Sequence, residues 1–210
     1  MDLRIIIIQI FVLLFAITIH EASHAWAAMK MGDTTASAMG RVSLNPLAHI
    51  DPFGTVILPL ILIFVLHAPA FGWAKPVMVN PRNLRHPRRD NLWISLAGPA
   101  ANMAAATVSL VVLIVLNHLP RNSSPLEALS LIFYYLVMIN VFLAVFNLIP
   151  VPPLDGSGIL AGLLTDEAVA KYDRIRPYGF IIVIGLVYLG VLDFFFRFVQ
   201  LFINTLISFF

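Results

Sequence analysis

Apolar residues in this chain gather into long runs separated by short polar stretches rich in glycine and proline. The first run covers residues 5–29, and later ones cover 91–116 and 126–149. Each reaches the ~20 residues that a helix needs to cross a bilayer. Residues 53–70 are also apolar, but Pro59 interrupts them, and Gly54, Pro69 and Gly72 stand near their ends. Residues 178–210 form a last apolar segment, broken by Asp193 and Arg197, that reads either as one long tilted span or as a span with an interfacial helix. The pattern predicts an all-α membrane protein, a polytopic transmembrane helix bundle. Residues 34–44, rich in Thr, Ser and Val, and residues 74–79 read as extended. They add an expectation of small β and loop elements at one face of the bundle.

The connectivity poses a counting problem. If residues 53–70 cross fully, the ends of the first run and of the 126–149 run fall on opposite faces. If they re-enter, both ends share one face. Pro59 permits a broken, re-entrant path where protein or water covers the freed backbone groups. The positive-inside rule favours re-entry, because all Lys and Arg except Arg4, Arg121 and Arg197 then share one side. That reading puts the N-terminus outside and the shared face in the cytoplasm.

Composition agrees with a membrane chain. Of 210 residues, 60% are hydrophobic and 11% charged, against roughly 25% charged in soluble proteins, and the mean hydropathy is +0.92. The length suits a single domain, 1–210, with a core of about 5–160 and a C-terminal membrane segment at 178–210. The first run is too long and too rich in chemistry for a cleaved signal. The net charge of +2 sits in loops, and no nucleic-acid-binding signature is present. There is no cysteine, so any metal must be held by His, Asp, Glu or Asn.

The chemistry concentrates in His20-Glu21-Ala22-Ser23-His24. On a helix, residues i and i+4 share a face, so both imidazoles can reach one zinc ion. Glu21 lies about 100° around the helix, where it can take a proton from water. With 6 His in the chain, chance would give the pattern on the order of 0.002 times per such sequence. His20 stands roughly 22 Å along the helix from Ile5 at ~1.5 Å per residue. That is still inside a ~30 Å hydrocarbon core, where ionisable residues are costly and functional by default. A third ligand is needed. Glu127 falls at the opposite face, Asp193 has Arg197 four residues on, and Glu167 lies in the same polar segment as Asp155. A turn aspartate before a helix is the plain reading of Asp155-Gly156 taken alone. Given a zinc pair short of one ligand, Asp155 is preferred.

His20-Glu21-Ala22-Ser23-His24, Gly98-Pro99-Ala100-Ala101-Asn102 and the stretch from Asn147 through Pro150, Pro152, Pro153 and Asp155 to Gly156 together resemble the motifs of the site-2 protease family of intramembrane zinc metalloproteases. Gly40-Arg41-Val42-Ser43-Leu44-Asn45-Pro46 and Gly72-Trp73-Ala74-Lys75-Pro76-Val77 are similar to accessory stretches of its compact prokaryotic members, which carry no added regulatory domain. The resemblance covers roughly residues 5–160. It implies one zinc per chain on His20, His24 and Asp155, with Glu21 as general base. It implies single transmembrane helices of other proteins as substrates, a site towards the cytoplasmic side of the cell membrane, and a substrate contact from Asn147. The residues leave a competing class open, a zinc-binding transporter or sensor without proteolysis. Clustering of the polar groups at one depth counts against a transport path.

Overall fold

The computed structural model describes residues 3–57, 61, 75–119 and 124–209. Eight α-helices are present among them. They are α1 (Leu3–Lys30), α2 (Thr35–Ala38), α3 (Pro87–Asn117), α4 (Ser124–Asn147), α5 (Asp155–Leu163), α6 (Asp166–Tyr172), α7 (Gly179–Tyr188) and α8 (Val191–Phe209). Three are long and apolar enough to cross a membrane: Leu3–Lys30, Pro87–Asn117 and Pro125–Asn147. A helix pairs its backbone N–H and C=O groups internally, which is what a segment in hydrocarbon requires.

The three long helices pack on one another, with α3 touching both α1 and α4. The buried side of α1 is mostly alanine: Ala16, Ala22, Ala25, Ala27 and Ala28. Small residues let helix backbones approach closely where no hydrophobic effect drives them together. On the far side of α4, Val137 and Met138 pack against Val199 and Ile203 of α8. Phe194, Phe198 and Phe202 of α8 face outward, which suits contact with lipid. The C-terminal segment is thus two helices, parted at Gly190, whose φ of 73° lies in the left-handed region that glycine adopts without strain.

The ends of the connection between α1 and α3 lie together. Ala27 and Ala28 of α1 share an apolar cluster with Leu84 and Ile94. Gly32 lies against the turn Pro81–Asn83, where an added Cβ would stand 3.1 Å from the Asn83 carbonyl oxygen. Asp33, fully buried, fastens this junction. It accepts from the Asn80 backbone N–H at 2.7 Å, the Asn83 side chain at 2.8 Å and the Thr35 hydroxyl at 2.5 Å. Burial opposes the charge of Asp33, but these bonds outweigh it and hold the carboxyl down at about 2. The connection therefore leaves and returns at one end of the bundle. The re-entrant course read for residues 53–70 lies for the most part outside the described residues, which include only the π-helical turn Pro52–Ile57 and residue 61.

The expected β elements are not found, and no strand occurs among the described residues. In the 34–44 stretch, Asp33 accepts the Thr35 backbone N–H at 3.1 Å and so starts the helical turn α2. The N–H groups of Gly40 and Arg41 then bond back to Ser37 and Ala36, both at 2.9 Å, and leave no ladder to form. Residues 75–80 form neither helix nor strand. Pro76 has no N–H to give, and the buried Arg41 guanidinium donates to the carbonyls of Lys75 and Pro76, each at 3.4 Å. Arg41 also donates to the Ala48 carbonyl, so one buried cation ties two loops together. Ala74 lies outside the described residues.

Candidate metal centre

His20 and His24 sit one turn apart near the C-terminal end of α1, with ring centroids 4.6 Å apart and planes at 84°. Each ring is fixed by its Nδ1. His20 Nδ1–H donates to the Oδ1 of Asn102 on α3 at 2.5 Å. His24 Nδ1–H donates to the Ile94 carbonyl, also on α3, at 2.7 Å. An Nδ1 that donates leaves the Nε2 lone pair free, the arrangement usual for a metal-bound histidine. Both Nε2 atoms point into one spot, 3.1 Å apart.

Asp155 opens α5 and brings its Oδ2 to the same spot, 3.0 Å from His20 Nε2 and 3.2 Å from His24 Nε2. A tight return of the chain after α4 puts it there. The turn needs Gly156, because an added Cβ would stand 2.5 Å from the Ile149 carbonyl oxygen and closer still to that of Leu148. Asp155 Oδ2 is buried and has no hydrogen-bond partner. Three lone-pair donors therefore converge with no proton supplied from elsewhere to separate them, a costly arrangement that a cation relieves. Tetrahedral zinc with ligands at ~2.0–2.1 Å would set them ~3.3 Å apart, close to the separations found. The residues fit the ion. Among the described residues these three form the group of His, Asp or Glu side chains able to hold a metal.

The centre also fixes the course of the helices. Its ligand atoms come from near the end of α1 and from just beyond the end of α4, and the start of α3 lies beside them at Ile94 and Gly98. So α1 and α4 run in one direction and α3 in the other, and the ends of α1 and α4 lie at one end of the bundle.

Gly98 is the close approach that makes the centre compact. A Cβ there would fall on His24 Nε2 and within 2.7 Å of Cε1 in both histidines. Gly98→Ala should weaken zinc binding by at least about ten-fold. The same overlap exists without the ion, so the fold should also lose stability, set against about 1 kcal/mol by which alanine favours a helix over glycine. Chelator competition beside a melting curve separates the two effects.

Other sites named from the sequence fall outside the cluster. Glu21 is half-buried beside His20 and forms no hydrogen bond or ion pair among the described residues. Asn147, the last residue of α4, is half-buried and donates to the Leu143 carbonyl of its own helix at 3.0 Å. Of the rival carboxylates, Glu127 stands in the first turn of α4, at the other end of the bundle. Glu167 pairs with Lys171 at 2.9 Å on an exposed surface, and nothing is described of the Asp193 side chain. His49 donates from Nε2 to the Ser43 carbonyl at 2.8 Å and serves the loop. Sequence reasoning passed over Asn140, fully buried in α4 and bonded to Asn102. The signal was there, an amide in the middle of an apolar run.

Comparison with known proteins finds one family and several relatives. The family described as Peptidase family M50 matches residues 8–126 and 115–190. The "Putative zinc metalloprotease YwhC" of Bacillus subtilis is 37% identical over 172 residues, which cover 81% of this chain and 75% of that protein. The "Putative zinc metalloprotease Rip2" of Mycolicibacterium smegmatis is 30% identical over 178 residues, 82% of this chain and 63% of that protein. No solved structure matches the chain.

Proposed function

This chain belongs to peptidase family M50, the site-2 protease family of zinc metalloproteases, and from that premise we propose that it hydrolyses peptide bonds in the transmembrane helices of other proteins. The observation that carries the proposal is the meeting of two imidazole Nε2 atoms and one carboxylate Oδ2 within 3.2 Å of one another, at the end of an apolar helix. One zinc ion per chain would be held by His20, His24 and Asp155, and when bound it supplies a Lewis acid that polarises a carbonyl and lowers the pKa of water toward ~7.

Glu21 is the general base in this reading. Its carboxylate has no hydrogen-bond partner to give up among the described residues and sits one residue from a ligand. It takes the proton of the attacking water and returns it to the leaving amine. Asn102 and the Ile94 carbonyl hold the imidazoles in the protonation pattern that leaves both Nε2 atoms free. A substrate helix must unwind before its carbonyls are open to attack. Residues 77–79, whose backbone groups are not taken up by Arg41 or Asp33 and which form neither helix nor strand, are where an unwound stretch would lie against the protein. Asn147 ends α4, ahead of the turn that carries Asp155, and in this reading it contacts such a stretch. In this reading the metal end faces the cytoplasm of the cell and the N-terminus lies outside; the Lys and Arg residues gathered at the metal end support it through the positive-inside rule.

The test uses the purified protein in lipid vesicles with a single-span helical substrate. Removing the metal with a chelator should abolish cleavage, and one equivalent of zinc should restore it. Full cleavage by protein shown to be metal-free would sink the proposal.

A further inference from the structure

We propose that Asn140 is a positioning residue for the metal centre, acting through Asn102 on His20. The proposal rests on the reading that His20, His24 and Asp155 hold a metal.

Three fully or nearly buried side chains form one hydrogen-bonded line across three helices. Asn140 on α4 donates its Nδ2 to the Leu136 carbonyl at 2.8 Å. Its Oδ1 accepts from Asn102 Nδ2 at 2.7 Å. Asn102 Nδ2 also donates to the Ala16 carbonyl of α1 at 3.1 Å, and Asn102 Oδ1 accepts from His20 Nδ1–H at 2.5 Å. Asn102 and Asn140 have no exposed surface, and His20 retains 7%.

The line has a direction, and backbone carbonyls set it. A carbonyl can only accept. Leu136 therefore draws the NH2 of Asn140, which turns the Asn140 oxygen toward Asn102. Ala16 and that oxygen together draw the NH2 of Asn102, which turns its own oxygen toward His20. His20 must then carry its proton on Nδ1 and present a bare Nε2 to the metal. Flipping the Asn102 amide would give His20 a donor instead. The ring would shift its proton to Nε2 and lose the ability to ligate. The flip sets an oxygen against two acceptors while Asn140 is present, and against one when it is absent. Asn140 thus biases the tautomer of a ligand that it does not touch. Outer groups that fix a ligating histidine typically matter by ~10–100-fold in metal affinity.

The experiment compares zinc affinity, by chelator competition, and the visible spectrum of the cobalt-loaded protein in wild type, Asn140→Leu and Asn140→Asp. Leu matches the shape and removes the acceptor. Asp keeps an oxygen facing Asn102. The expected result is at least ~10-fold weaker zinc and an altered cobalt spectrum for Leu, with Asp within about three-fold of wild type. Should the Leu variant fail to fold, Asn140→Ala removes the same acceptor without added apolar bulk. In an Asn102→Ala background, Asn140→Leu should weaken zinc no further, because its effect runs through Asn102; a merely structural role would add to it. Folded Asn140→Leu or Asn140→Ala with wild-type zinc affinity and cobalt spectrum overturns the inference and leaves the metal reading intact. Failure of the wild type itself to bind zinc overturns the metal reading.

Discussion

Glu21→Gln is expected to cut peptide-bond cleavage by ~10²–10⁴-fold, the range typical for loss of a general acid–base group, while zinc stays bound. The amide matches the carboxylate in size but cannot take a proton. Glu21 gives no described hydrogen bond or ion pair to the fold, so its replacement should leave the bundle intact. Nor is it one of the three converging groups that can hold the ion. The two readouts must therefore separate, with cleavage lost and metal kept. Turnover of a single-span substrate in vesicles, measured beside metal content, checks this. Substantial residual cleavage would mean that another group moves the proton.

Asp155→Ala carries the other large effect. Groups that only orient a metal ligand matter by ~10–100-fold, and loss of a ligand itself should exceed that range. Its Oδ2 is the sole anion in the converging set, and it stands 3.0 and 3.2 Å from the two Nε2 atoms. Without it, two imidazoles remain to hold the ion, and zinc binding and cleavage should fall together. Glu127 is too far to substitute, in the first turn of α4 at the other end of the bundle. Glu167 is exposed and engaged with Lys171.

Much of this was legible in the sequence, for particular reasons. Apolar run length is a direct readout of helices that must satisfy their backbone in lipid, so α1, α3 and α4 follow from counting residues. The i, i+4 spacing fixes His20 and His24 on one face without any tertiary knowledge. Asp155 was reached by exclusion, and its convergence with the histidines depends on the return of the chain after α4, which a periodicity cannot encode. The short polar stretches misled. Thr- and Val-rich composition suggested strands, but Asp33 and Arg41 spend the backbone groups that a ladder would use. Such bonds join residues up to 47 positions apart, as between Asp33 and the Asn80 backbone N–H, and leave no local pattern. Asn102 stood out in the sequence as the end of the Gly98-Pro99-Ala100-Ala101-Asn102 motif. Its role at His20 shows only when α1, α3 and α4 are brought together.

The most direct test of the account is the zinc content of the detergent-purified protein, with wild type set beside His20→Ala and Asp155→Ala. The account predicts about one zinc per chain in the wild type and its loss or sharp weakening in both variants. That result would join the end of α1 to the turn after α4 at one metal ion. Full-affinity zinc in Asp155→Ala would contradict it, since the third ligand would then lie elsewhere and the shared face of the two helix ends would have no chemical purpose.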